Sequence, residues 1–370
     1  MKEKSNEKTT KSELLIYIFI ILLTIAKSIG LSSNSIVYII MFGFGLFLSL
    51  FKIYHDSFSK REILLLLSGL GISTLLFVFG QETSMLFTCL ILICLKNIDI
   101  HKILKIMFNV KTVIYAGIIV LTLIGIINNN SLVVYRNGEY VERFSFIFGH
   151  PNNAHLNLSL IIILWIYLYY DKINIFNIII LELLNYWIYT FTLSRTGFLI
   201  TSFFLLFSLI YKKNGVIKKI SNMIASNGFI YMFIITIIAG YLYNRVSFLS
   251  VVDNVMTGRL YYINYFLNNI SFPLIGKASY GSLMIDNGYI SILYNGGIMA
   301  LFWFGYIASK TSKILYKNSM NKELLITLIL LIYSFSESFY MNAILNVSIL
   351  FFTYYIFNNN MNNKIHKKGE

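Results

Sequence analysis

Charge is missing from this chain for long stretches at a time, and no other feature restricts its fold so strongly. An apolar run spans about residues 14–30, and others recur near 35–51, 62–80, 83–95, 112–128, 155–170, 174–193, 196–211, 228–243, 288–308, 324–340 and 342–357. Each is roughly 13–20 residues long, about what a tilted helix needs to cross a hydrocarbon core. The bilayer interior offers a backbone no hydrogen-bonding partner, so runs of this kind cross it as helices. The expected fold is all-α: one polytopic membrane domain over 1–370 with about twelve transmembrane helices. Composition supports this, because only 12% of residues are charged where a soluble domain carries about a quarter. The polar start, MKEKSNEKTTKSE, leads into the first run as in a signal peptide. No small-x-small site follows, so an uncleaved first helix is expected.

The basic residues divide by side. With the N-terminus in the cytoplasm, 23 of the 30 fall in inner segments, a strong positive-inside bias. The net charge of +14 is therefore a topology signal, and no nucleic-acid partner is expected. Both termini come out cytoplasmic at the plasma membrane. The outer segments hold Arg136, Arg143, Arg195, Arg245, Arg259 and Lys277, so five of the six arginines lie against the charge bias. Arginine presents a planar fork that grips phosphate oxygens in pairs, which lysine cannot do. Together these arginines suggest an anion site, although any one of them could pair with Glu139, Glu142 or Asp253. Cys89 and Cys94 share one apolar run with no histidine beside them and read as buried structural thiols.

Two outer segments carry nearly all the remaining chemistry. In 128–155, Arg-Asn-Gly-Glu at 136–139 has turn chemistry, and VERFSFIF reads as a short extended piece. Gly149-His150-Pro151-Asn152 then opens an apolar helix, with proline suited to its first turn. His150 is a candidate acid–base group or a structural cap. A zinc site from His150 and His155 lacks further ligands in these loops. Glu182, inside an apolar run, is expected to face protein or water. Between two spans, Leu193-Ser194-Arg195-Thr196-Gly197 forms a tight turn. Ser194 is the expected N-cap and puts Arg195 in the first helical turn, where the dipole disfavours a cation unless an anion is bound. The long segment 244–287 holds Thr257-Gly258-Arg259, then the aromatic stretch LYYINYFLNN, expected as a short surface helix ended by Pro273. It closes on Asp286-Asn287, and the glycines at 296 and 297 suit close helix packing. Glu337 lies near the outer end of the 324–340 run.

FGHPNNAH, LSRTG, TGRL and PLIGKASYG…DNGYISILYNGGI, in this order and on one side, resemble bacterial polysaccharide polymerases of the Wzy type, within the broad O-antigen ligase group. The resemblance covers about residues 130–300. The ligase signature is His-Asn, nine intervening residues, then Gly; here Asp286-Asn287 precede Gly297, so aspartate replaces the histidine. The resemblance implies inverting glycosyl transfer at the outer leaflet with no metal and no cofactor. It implies a growing glycan on undecaprenyl pyrophosphate as donor and a lipid-linked repeat unit as acceptor. A flippase and a chain-length regulator would be partner proteins. Arg143, Arg195, Arg259 and, more weakly, Arg245 would hold the departing pyrophosphate, a role that needs cations. Asp286, then His150, would take the acceptor's proton, with Asn152, Asn287 and Glu337 in support. The competing class is a lipid-linked oligosaccharide flippase. Against it, the two halves show no repeat and the outer loops are lopsided.

Overall fold

The computed structural model describes residues 11–31, 35–136, 138–277, 280, 283 and 285–357. Among the described residues the regular structure is helical apart from one hairpin. It begins with α1 (Lys11–Ser28), α2 (Ile36–His55), α3 (Lys60–Gly80), α4 (Ser84–Cys94) and α5 (Ile100–Leu123). The antiparallel hairpin of β1 (Ser131–Arg136) and β2 (Glu139–Phe144) follows; of VERFSFIF, expected as extended, only Val141–Phe144 is strand and a turn follows at 146–147, while Asn137 of the expected turn lies outside the described residues. After it come α6 (Pro151–Leu168), α7 (Ile175–Thr192), α8 (Arg195–Lys213), α9 (Gly215–Ser226) and α10 (Gly228–Leu242). Two short helices follow, α11 (Ser247–Met256) and α12 (Arg259–Asn269). Then come α13 (Gly288–Ser291), a π-helical turn at Ile292–Gly296, α14 (Gly297–Lys317) and α15 (Asn321–Tyr333). A 3-10 stretch, Val347–Phe352, runs into α16 (Thr353–Ile356).

Six of these segments are long and apolar enough to cross a membrane: α2, α3, α5, α7, α8 and the stretch Gly288–Lys317. The pair α9–α10, bent by 76°, makes a seventh if counted as one span. Their outer faces carry Ile39, Ile40, Leu50, Leu64 and Leu183, each at least 60% exposed. Water would penalise such a surface heavily, whereas lipid tails accept it. The molecule is thus a multi-pass, all-α membrane protein in its bulk. At the centre, α6 and α15 are buried nearly all round and carry the core that the other helices surround.

Several boundaries differ from the expected ones for clear reasons. Residues 100–111 are not a loop: Asp99 caps α5 by accepting from the His101 amide, and Ile100, Ile103, Leu104 and Met107 bury one face of that helix. Its lysines lower the mean hydropathy there and hide the periodicity. The segment after Lys213 forms α9 rather than connecting chain. The run expected as a span over 324–340 ends its helix at Tyr333, and 334–346 is irregular but buried. Non-helical chain at such depth survives only if protein satisfies it. Here Thr88 Oγ1 donates to the Met341 carbonyl and accepts from the Ala343 amide, and Asn342 Oδ1 accepts from the amides of Ile344 and Leu345.

Gly296 packs closely, a Cβ there lying 3.1 Å from Met341 Sδ, whereas Gly297 serves a different purpose. Gly297 has φ +73° and ψ 174°, a conformation reached essentially by glycine alone. A Cβ there would lie 2.6 Å from the Leu274 carbonyl oxygen and 2.7 Å from the Gly276 nitrogen. The segment Pro273–Lys277 crosses the break in the helix at this point and replaces its missing hydrogen bonds. Ile298 N–H donates to the Pro273 carbonyl, and Lys277 N–H to that of Tyr294. The end of the long loop is thereby bolted to the span that begins at Asn287.

Candidate functional site

Four helix N-termini meet at one end of the bundle: those of α6, α8, α12 and α13. Each leaves backbone N–H groups outside the helical ladder and the positive end of a dipole. Side chains from these turns form two linked clusters.

The first cluster is built on Arg143, which β2 carries over the start of α6. Its guanidinium is 5% exposed. Nε donates to the Thr192 carbonyl at 3.0 Å and Nη2 to Asn152 Oδ1 at 2.9 Å. Asn152 Oδ1 also accepts from Ser194 Oγ at 3.1 Å. Ser194 does occupy the N-cap position of α8, but its hydroxyl serves this link and caps nothing. Arg143 and Asn152 therefore tie the N-termini of α6 and α8 together.

His150 is the N-cap of α6. Its Nδ1 accepts from the Asn152 amide at 3.1 Å, which leaves the proton of the neutral ring on Nε2. Burial holds this imidazole below its usual range. Arg143 and Arg259 add to that, and Asp286 opposes it. His150 therefore presents a neutral N–H donor at neutral pH, a poor arrangement for accepting a proton.

The second cluster centres on Arg259, 2% exposed at the start of α12. One end nitrogen, Nη1, donates to Thr196 Oγ1 at 2.8 Å and to Met256 O and Thr257 Oγ1 at 3.0 Å. The other, Nη2, donates to Glu337 Oε1 at 2.8 Å. Among the described residues its Nε has no hydrogen-bond acceptor, and it faces Asp286 Oδ2 at 3.8 Å, an ion-pair distance too long for a hydrogen bond. Asp286 is the open side of the cluster, its side chain 45% exposed. Glu337 is largely buried just beyond the end of α15. Two carboxylates thus face one guanidinium.

Asn287, not Asp286, caps the helix that follows. Its Oδ1 accepts from the Tyr289 and Ile290 amides, and its Nδ2 donates to the Phe335 carbonyl. Gly288 N–H donates to the Ser334 carbonyl at 2.7 Å. These bonds fix the spacing between Asp286 and Glu337. Asp286 itself has no capping duty to perform.

The remaining expected site residues are less engaged. Arg195 is exposed in the first turn of α8, flanked by Ser194 and Thr196, which bond to the two clusters. Arg245 is exposed in the turn between α10 and α11 and has no ion-pair partner among the described residues. Asp253 pairs with neither arginine; its Oδ1 accepts from the Leu260 amide at 2.7 Å and fixes the start of α12. Thr196 went unrecognised in the sequence, although it sits within LSRTG. A threonine in the first turn of a helix, beside an arginine, was the available signal. His155 lies buried below the site, its ring on Asn185 and Thr192, and Glu182 faces Asn185 and Ser202 inside the protein. Among the described residues no group of three or more His, Cys, Asp or Glu converges.

An apolar groove of about 290 Å³ opens immediately beside Arg259. Leu199, Ile200, Met232, Ile235, Val255 and Phe335 line it, and Thr196 and Met256, both bonded to Arg259, form its upper edge. The site therefore joins a buried cation and an exposed carboxylate to a greasy channel. Comparison with known proteins found no matching family model, no matching curated protein and no matching solved structure.

Proposed function

We propose that this chain is a membrane-embedded glycosyltransferase that polymerises lipid-linked oligosaccharide repeat units at the outer face of the plasma membrane. One observation carries the reading: Arg259, its Nε without an acceptor among the described residues, lies between an exposed carboxylate and an apolar groove. That pairing suits an amphiphile with an anionic head and a hydrocarbon tail, as an undecaprenyl-pyrophosphate-linked glycan is. In this reading the twelve apolar segments cross the membrane, both termini are cytoplasmic, and 128–155 and 244–287 lie outside over the site.

The proposed chemistry uses these residues as follows. Asp286 takes the proton of an acceptor sugar hydroxyl, whose oxygen attacks the anomeric carbon of the donor chain from the face opposite the leaving group. The bond from that carbon to the pyrophosphate oxygen breaks, with inversion. The departing lipid pyrophosphate takes the electron pair, and the Arg259 Nε–H and the neighbouring helix N-termini stabilise its new charge. Arg195, exposed at the start of α8, is placed to assist, whereas Arg143 and Asn152 hold the scaffold. No cofactor has a part in this scheme. The supplier of substrate would be a flippase, and a chain-length regulator would act on the product.

Deleting the gene tests the proposal. Loss of a polymerase leaves single repeat units on lipid at the outer leaflet, open to externally added glycosidase, and surface glycan one unit long. Intermediates that resist the glycosidase in cells whose other enzymes are intact would overturn it in favour of a flippase.

A further inference from the structure

The opposite, lysine-rich end of the bundle carries a feature that the proposed reaction does not use. Helix α9 is amphipathic in an inverted sense. Its protein-facing side is made of small polar or small residues: Ser221, Asn222, Ala225 and Ser226, all buried. Its large apolar residues point outward, with Val216 68%, Ile220 48%, Met223 57% and Ile224 42% exposed. They fall at i, i+4, i+7 and i+8, one continuous stripe. The helix meets α10 at 76°, so it turns away from the direction of the span that follows it. A short helix with an outward apolar stripe and lysines at its flank is built to lie in a membrane interface.

Between α9 and the turn joining α14 to α15 lies a polar pocket of about 440 Å³. Lys218, Lys219 and Lys317 line it together with Asn222, Asn321 and Tyr316, and among the described residues no carboxylate does. Nearby Lys212 and Lys322 are engaged elsewhere, donating to the Asp171 carbonyl and carboxylate respectively. The pocket's floor is preorganised. Tyr211 Oη donates to Asn222 Oδ1 at 2.5 Å, and Asn222 Nδ2 to Asn321 Oδ1 at 2.7 Å. That bond fixes the amide's orientation and leaves the Asn321 N–H donors free to face the pocket. The N-terminal turn of α9, starting at Gly215, borders the same space and adds its positive dipole end.

We infer that this pocket binds the head group of an anionic phospholipid, with the acyl chains lying along the apolar stripe of α9. Charge, donors and the adjoining greasy surface match one molecule that has a phosphate next to two hydrocarbon tails. In the topology proposed above this is the cytoplasmic leaflet. The inference does not depend on the enzymatic reading, and it gives the cluster of lysines a ligand in addition to its role in orienting the chain.

Native mass spectrometry of the purified full-length protein, titrated with phosphatidylglycerol and with phosphatidylcholine, tests it. Phosphatidylglycerol should be retained preferentially. The triple variant K218Q/K219Q/K317Q should weaken it by roughly fivefold per lysine, on the order of a hundredfold in all. The control K102Q/K105Q/K313Q removes the same charge from exposed sites outside the pocket and should leave binding unchanged. Equal retention of the two lipids, or equal loss in the control, would reduce the effect to general attraction and overturn the inference. Displacement of phosphatidylglycerol by inorganic phosphate or glycerol phosphate would assign the pocket to a soluble anion instead. Should the first triple variant fail to fold, the wild-type comparison of the two lipids still decides.

Discussion

Replacing Arg259 with lysine separates its charge from its shape. The arginine reaches three groups of partners at once: Thr196, Met256 and Thr257 through Nη1, Glu337 through Nη2, and Asp286 through Nε. A lysine has one nitrogen, which can serve the Thr196 side or Glu337 but not both. Hydrogen bonds to charged groups contribute about 1.5–3 kcal/mol, so Arg259→Lys should destabilise the fold by about that amount. Arg259→Ala strands the Glu337 carboxylate and should cost about 3–5 kcal/mol. Turnover should fall further than stability predicts, by about 10²–10³, the usual effect of losing a donor to transition-state charge. The double variant Arg259→Lys/Glu337→Gln separates the two effects. With no carboxylate to strand, it should regain most of the lost stability and none of the lost turnover. The assay is polymerisation of a synthetic lipid-linked repeat unit by purified protein, read as a product ladder beside a thermal melt. Near-normal turnover by Arg259→Lys, with stability lowered, would show that Arg259 is only a strut and would refute the anion-site argument.

Other consequences can be checked with the same protein. Asp286→Asn should cut turnover by about 10²–10⁴ at unchanged melting temperature, because Asn287 does the capping; near-normal polymerisation would take Asp286 out of the mechanism. Gly297→Ala should cost at least about 1–3 kcal/mol through backbone strain alone. Gly71→Ala, with nothing within 4 Å of the added carbon, is the matched control, and equal melting of the two would be inconsistent with the crossing described at the helix break.

What could be read from the sequence rested on effects that are local or summed over a window. Hydropathy is such a sum, and it was enough to place a membrane protein of many apolar helices. The β-hairpin and the proline opening α6 were legible for the same reason: each depends on a residue's own conformational preference. Arg259, Asp286, His150 and Glu337 do belong to one neighbourhood, as their positions at the ends of apolar runs imply. Pairwise partners were not legible, because they join residues far apart in the chain. Only the folded structure could show Arg143 committed to Asn152 and Thr192, Asn287 rather than Asp286 capping α13, and Thr196 holding Arg259. The same holds for the breaks at Gly297 and after Tyr333. A hydropathy window sees continuous apolar helix there, whereas the backbone leaves the ladder because carbonyls, amides and side chains from distant segments take over its hydrogen bonds. Helix α9 was overlooked for a related reason. Its apolar stripe faces outward and its small polar residues inward, and only a packed bundle decides which side of a helix meets protein and which meets lipid.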